Sequence, residues 1–300
     1  MTRNIYLLAI FTLLLGIATG CGKEGSLTPS NVRENYFTPD PSATDAESVL
    51  RRNFYDTENI YLLFNDTLRH ELAGTDRYGD DVFLTETVDL GWTMTGYGSY
   101  PFSFNYLSGM AAKNAAVDFV KTHILSRLGA TLKPFSVLLV ETIDTWRYRN
   151  NVWQRYQSYK VYNGSRCTAI ALRGVEDMDE EELEEFGITV MFAILVPKIK
   201  NSEDEGLAEF FRQSSRYYDY SKSSFGVPAA WDDEPVRERG FLYDEYRSYF
   251  PDKDEDIEAY LDALFNMTTD EFAAEFGVYP VIMKKYGLFK EALLSMGLVL

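Results

Sequence analysis

Two cysteines, Cys21 and Cys167, and two histidines, His70 and His123, are the side chains of this 300-residue chain best suited to nucleophilic, acid–base or zinc chemistry. A thiolate is the strong protein nucleophile, and imidazole titrates near neutrality and ligates zinc. His70 is followed by Glu71, as at the start of His-Glu-x-x-His. In that pattern residues four apart share a helix face, so both imidazoles reach one Zn²⁺ while the glutamate activates its water. Position 74 is Gly74, so the second ligand is missing. His123 stands in Lys121-Thr122-His123-Ile124, on a different element, and nothing in the pattern asks the two to converge. The expectation is a solvated His70 at a strand-to-turn junction, a partly buried helical His123, and no bound metal or cofactor.

Carboxylates are abundant, 46 in all, which leaves any single acid–base pair uninformative. Asp252, Asp254 and Asp256 alternate like the start of an EF-hand loop, but Ile257 replaces the required glycine and Ala263 the bidentate glutamate. Acids in the first turn of a helix, favoured by its dipole, are the better reading. There is no Gly-x-Ser-x-Gly elbow, phosphate-cradling glycine loop or Cys-x-x-Cys pair, so serine-hydrolase, nucleotide and dithiol chemistry have no anchor. A formal net charge of −17 repels polyanions and argues against a nucleic-acid partner.

The N-terminus carries an address. Arg3 precedes an apolar run, Ile5 to Ala18, and then Thr19-Gly20-Cys21. A bilayer span needs about 20 residues, so this shorter run reads as a secretory signal. Small residues ending in a cysteine resemble a bacterial lipoprotein lipobox, with Ala18 where leucine is commoner. The resemblance implies cleavage of residues 1–20 and lipidation of Cys21, hence a lipid-anchored envelope protein of the outer membrane, periplasmic or surface-exposed. Anchoring comes from acyl chains, roughly 0.8 kcal/mol per buried CH₂, and not from a basic patch. Cys167 then has no disulfide partner, and its place in Arg166-Cys167-Thr168-Ala169-Ile170 suits a small buried hydrophobe in a strand.

Residues 21–44 are rich in Gly, Ser, Thr, Pro and Asn and read as a flexible tether, followed by one domain over 45–300. The pattern predicts a helix from Ser48, a strand at Ile60–Phe64, turns and short strands over 73–110, and a helix from Ala111 to Leu128. Phe135–Val140 reads as a buried strand. Tyr159–Tyr162 and Arg166–Leu172 flank Asn163-Gly164, a pair suited to a two-residue hairpin turn. Helices follow at Asp179, Asp204–Tyr217, Asp254–Asn266, Thr268–Phe276 and Val281–Met296, with Thr268 and Glu271 forming a capping box. Strands first and helices after give an α+β fold.

Aromatic side chains crowd two stretches, Trp92 to Tyr106 and Trp146 to Tyr162. Packing within a sheet accounts for many of them, since aromatics favour strands. The rest are candidates for a contact surface, with Trp92, Tyr97, Tyr100, Trp146 and Trp153 the leading residues.

Trp231, Arg237-Glu238-Arg239-Gly240-Phe241, Asp254-Glu255-Asp256-Ile257 and Met283-Lys284-Lys285 occur in that order before the last helix. This region, about 230–298, resembles a family of bacterial lipoproteins related to zinc metallohydrolases (zinc-binding metallopeptidase-like) and encoded beside outer-membrane glycan-import transporters. The resemblance implies a zincin-like domain. Active relatives carry His-Glu-x-x-His on the preceding helix, and here no histidine lies between Asp179 and Trp231. The expected function is therefore a catalytically inactive relative, a binding or accessory module of a nutrient-import system. Its partner would be an outer-membrane transporter complex or a glycan or peptide substrate. The alternatives are a hydrolase with an unrecognised carboxylate site and a structural surface lipoprotein.

Because only a thiol accepts the diacylglyceryl group, Cys21→Ala is expected to abolish labelling by a fatty-acid analogue and to release the protein from membranes. Membrane fractionation with metabolic labelling reads both.

Overall fold

The computed structural model describes residues 35–91, 100–244, 246 and 248–300. Residues 1–20 and Cys21 lie outside the described residues, as do Trp92 and Tyr97. In chain order the elements are α1 (Ala46–Glu58), β1 (Tyr61–Leu63), β2 (Thr67–Thr75), β3 (Asp81–Thr87), β4 (Phe102–Tyr106) and α2 (Gly109–Phe119). A single π turn at Val120–Ile124 and a 3₁₀ turn at Leu125–Arg127 extend α2. Then come β5 (Ser136–Arg149), β6 (Val152–Tyr159), β7 (Val161–Asn163) and β8 (Thr168–Ala171). Helices α3 (Glu180–Lys200), α4 (Glu205–Ser214), α5 (Asp233–Arg237), α6 (Lys253–Asn266), α7 (Thr269–Phe276) and α8 (Pro280–Ser295) complete the chain. The fold is α+β, a small mixed sheet followed by a helical half.

Strand β5 is the centre of the sheet. Its first residues pair in parallel with β1 and β8, and its later residues pair antiparallel with β4 and β6. The alternation of its apolar run separates two cores, as period 2 requires. Val137 and Leu139 join the main core with α2, α3, α6 and α8, while Leu138, Val140 and Ile143 join a second core with Phe37, Val88 and Leu90. Phe37 falls in the segment that composition reads as tether, yet only 2% of it is exposed, and the packed unit runs from Phe37 to Leu300. Cys167 is buried in the second core, and burial pushes its thiol up to about 12, so it packs as a small hydrophobe.

Two turns differ from the sequence expectation. The β7–β8 hairpin exists, but Asn163 pairs with Thr168, which leaves a four-residue loop in place of the two-residue Asn163-Gly164 turn. Gly164 is needed there for space, because a Cβ would come within 3.1 Å of the Leu90 carbonyl oxygen. The two-residue turn is instead Asn150-Asn151 between β5 and β6, with φ of 54° and 60°. Asparagine tolerates this left-handed region better than most residues. His70 also departs from its expected junction, lying within β2 and stacked on Phe83 at 4.6 Å.

Helix starts follow local chemistry. Asp179, Asp252 and Thr268 cap α3, α6 and α7, each in a reciprocal box with the glutamate three residues on. The three alternating aspartates thus part company: Asp252 caps, Asp254 pairs with Lys200 at 2.8 Å, and Asp256 turns inward.

In the interior of the helical half Lys285 and Asp256 form an ion pair whose side chains are fully buried. The Lys285 ammonium donates to both Asp256 oxygens at 2.8 and 2.7 Å, to the Gly240 carbonyl at 2.8 Å and to Ser214 Oγ at 3.1 Å. Tyr218 donates to the same carboxylate at 2.6 Å, and the rings of Phe210, Tyr260 and Phe241 surround the ammonium at 4.4–5.1 Å. Burial pushes the Asp256 carboxyl up and the Lys285 ammonium down, each against the pull of the partner charge. Gly240 is fixed here by φ +89° and by Val281 and Ser214, within 3 Å of where a Cβ would stand. The motif residues Gly240-Phe241, Asp256 and Lys285 therefore meet in one place, which is structural.

Breaking one half of a buried pair leaves an uncompensated charge, at a cost of about 3–5 kcal/mol. Lys285→Met is expected to destabilise the protein by that order, and adding Asp256→Leu to recover much of the loss, as read by denaturant unfolding.

Candidate functional site

The later half of β5 and the whole of β6 form a ribbon that extends beyond the parallel part of the sheet. Direct cross-strand partners share a face, so Trp146, Tyr148, Trp153 and Arg155 lie on one side of it. Tyr148 and Trp153 are opposite one another, with ring centroids 5.4 Å apart, and are 60% and 58% exposed. On the other side Tyr156 stacks on Tyr100 at 4.4 Å, and the Arg147 guanidinium lies 5.0 Å from the Tyr156 ring. The Asn150-Asn151 turn holds the tip in register.

Of the candidates read from sequence, Trp153 is exposed on this ribbon, and Tyr100, just before β4, is exposed against it. Trp146 is half-buried, and its indole N–H donates to Ser103 Oγ of β4 at 2.7 Å, so it ties the ribbon to its neighbour. Trp92 and Tyr97 lie outside the described residues. Tyr148 adds to the Trp153 face and Tyr156 to the opposite one. Phe102, Phe104, Tyr159 and Tyr162, from the same crowded stretches, pack on the second core.

A second feature was not legible as a site from the sequence. Helix α2 presents Ala111, Ala112, Ala115, Asp118 and Thr122 at helical spacing along one wall of a cleft of about 760 Å³. The opposite wall is the segment leaving β8, with Leu172, Arg173, Val175 and Glu176, together with Glu141 of β5 and Leu183 of α3. The volume falls in the range that encloses small molecules. Arg173 Nε lies 3.3 Å from Glu141 Oε1, so its charge is already engaged.

His123 stands in the cleft wall on the π turn, with its side chain only 10% exposed and its ring stacked on Phe119 at 5.3 Å. Glu184 is the nearest acid at 3.7 Å, beyond hydrogen-bond reach, and is itself held by Arg127. The turn is positioned by α3, where a Cβ on Gly187 would come within 2.7 Å of the His123 carbonyl oxygen. A run of paired alanines between a serine and a phenylalanine–histidine step is the only trace of this cleft in the sequence, and it reads equally well as core.

His70 is on the β2–β3 hairpin, its Nδ1 2.9 Å from Thr85 Oγ1. Among the described residues no group of three or more His, Cys, Asp or Glu side chains is gathered where a metal ion would need them. No protein-family model matches the chain. No characterised protein and no solved structure is significantly similar to it.

The exposed and packed aromatics are separable by stability. Tyr148→Ala and Trp153→Ala, which lose only their mutual cross-strand contact, are expected to lower unfolding free energy by no more than about 1 kcal/mol. Phe102→Ala, which removes ring contacts with Tyr162 and Phe104, is expected to cost about 2 kcal/mol. Denaturant titrations of the three variants decide it.

Proposed function

We propose that the chain is a lipid-anchored envelope protein that acts by contact, an accessory module of an outer-membrane import complex with the β5–β6 ribbon as its binding surface. The observation that carries this reading is the Tyr148–Trp153 pair. Two large aromatics are more than half exposed, directly opposed across a tight turn, and their backbones are held by the ladder. Rigid aromatics offer large contact area at little entropic cost, which is why they dominate binding hot spots.

The lipobox at Cys21 supports the membrane tether, and the order of motifs after Trp231 supports kinship with the import-associated zinc metallohydrolase lipoproteins, with a zincin-like domain as the finer reading of the fold. Gly240-Phe241, Asp256 and Lys285 converge on one buried cluster, so that part of the resemblance rests on residues that build the interior.

The test places a photo-crosslinking residue at Val152, exposed at the ribbon tip, with a second at Leu294, exposed on α8, as control. In cells the Val152 position is expected to give a discrete adduct with an envelope protein. Replacing Tyr148 and Trp153 by alanine should remove the adduct, each anchor contributing about 2 kcal/mol or more. An adduct that survives this double change, or forms equally from Leu294, refutes the reading.

A further inference from the structure

The α2 cleft is separate from the ribbon, and its chemistry selects a ligand. Three carboxylates border it, Asp118, Glu141 and Glu176, against one guanidinium, Arg173. Arg173 is spent on Glu141 through its side chain and also donates its backbone N–H to the Glu141 carbonyl at 3.1 Å. The field at the mouth is therefore negative, with Asp118 and Glu176 uncompensated by any ion pair among the described residues. Asp118 and Glu176 are exposed, so their pull on a cation is screened by solvent but uniform in sign, and an anion entering here meets like charge.

The body of the cleft is apolar. Ala111, Ala112 and Ala115 leave the volume open because they carry no side chain beyond Cβ, and Leu172, Val175 and Leu183 face them. Such surface gains by covering hydrocarbon. The third component is His123, which borders the cavity with its side chain 10% exposed and its Nδ1 3.7 Å from Glu184 Oε2. With Glu184 beyond hydrogen-bond reach, the His123 ring is available to a polar atom of a ligand that enters the cavity. Its position on a π turn, a geometry over-represented at functional sites, is consistent with a partner that arrives from outside the chain.

We propose that this cleft is a binding site for an organic cation: a ligand with an apolar body seated on the alanine wall, a primary ammonium or guanidinium group at Asp118 and Glu176, and a polar atom for His123. The inference does not depend on the ribbon's role.

The test uses the full lipid-bearing chain in phosphatidylcholine nanodiscs, with empty discs as blank, and a matched set of probes: 4-phenylbutylammonium, 4-phenylbutanol and 4-phenylbutyrate. Calorimetric titration is expected to show saturable one-to-one binding of the ammonium, at least about tenfold tighter than the alcohol, with the carboxylate weakest. Ala115→Phe, an exposed helix position whose new ring would occupy the cavity, should weaken the ammonium at least about tenfold. Asp118→Asn with Glu176→Gln should bring the ammonium down to the alcohol and leave the alcohol unchanged. Unfolding midpoints of the variants report whether each still folds, and Ala112→Leu supplies a second cavity-filling change. Equal affinity for ammonium and alcohol, insensitivity to both cavity-filling changes, or no saturable binding up to about 1 mM overturns the proposal.

Discussion

Strand β5 has to satisfy its backbone on both edges, and the rest of the structure is arranged around how it does so. A buried strand cannot leave N–H and C=O groups unpaired without a cost comparable to lost hydrogen bonds. Its apolar start takes two parallel neighbours, β1 and β8, while its later half takes two antiparallel ones, β4 and β6. The exchange occurs near Val140, which aligns with Ala171 of β8 and with Tyr106 of β4. At that point β8 runs out towards α3, and β4 runs out towards α2. The two departures leave the cleft, with Glu141 in its wall. Beyond it β5 and β6 continue as a ribbon whose tip is exposed on both faces. Both surfaces with functional potential thus follow from one long strand that changes partners midway.

The helical half is organised by a different constraint. Lys285 and Asp256 sit where water cannot reach, so their charges persist only because four acceptors surround the ammonium and a tyrosine hydroxyl completes the carboxylate. Lys222 and Asp244 form a second buried pair nearby in sequence, at 1% and 3% exposure. Such pairs add little net stability over apolar residues of similar size, but they penalise any packing that separates the partners. Here the Lys285–Asp256 pair brings α4, α6, α8 and the Gly240 turn to one point, and so explains why residues remote in sequence meet in the interior.

Much of this was legible in advance. The capping box at Thr268 is legible from sequence, while Asp179 and Asp252 read only as acids of a helix start and prove to cap in the same way. The run before Val140 is apolar enough to declare a buried strand, and Ala111 to Leu128 is periodic enough to declare a helix. The turns were harder. Asn163-Gly164 carries the stronger turn signature, but Asn150-Asn151 makes the two-residue turn, because strand register and the close approach of Leu90 decide which pair lies at the reversal. Ambiguity also attended the aromatics, since Phe102 and Tyr148 have the same strand preference and only the partner surface separates core from ribbon tip.

The sequence by itself determined the α+β order of elements, the helix caps and the absence of a contiguous His-Glu-x-x-His motif. Each of these depends on residues within a few positions of one another, where steric and hydrogen-bonding preferences act without the rest of the chain. Tertiary structure alone decided that Asp256 meets Lys285 and Gly240, that alanines on α2 face Arg173 and Glu176 across a cavity, and that Tyr148 and Trp153 stand opposed in solvent. Those juxtapositions join segments tens of residues apart. They are fixed by which apolar faces bury together and which backbone edges pair, and no local pattern records that outcome.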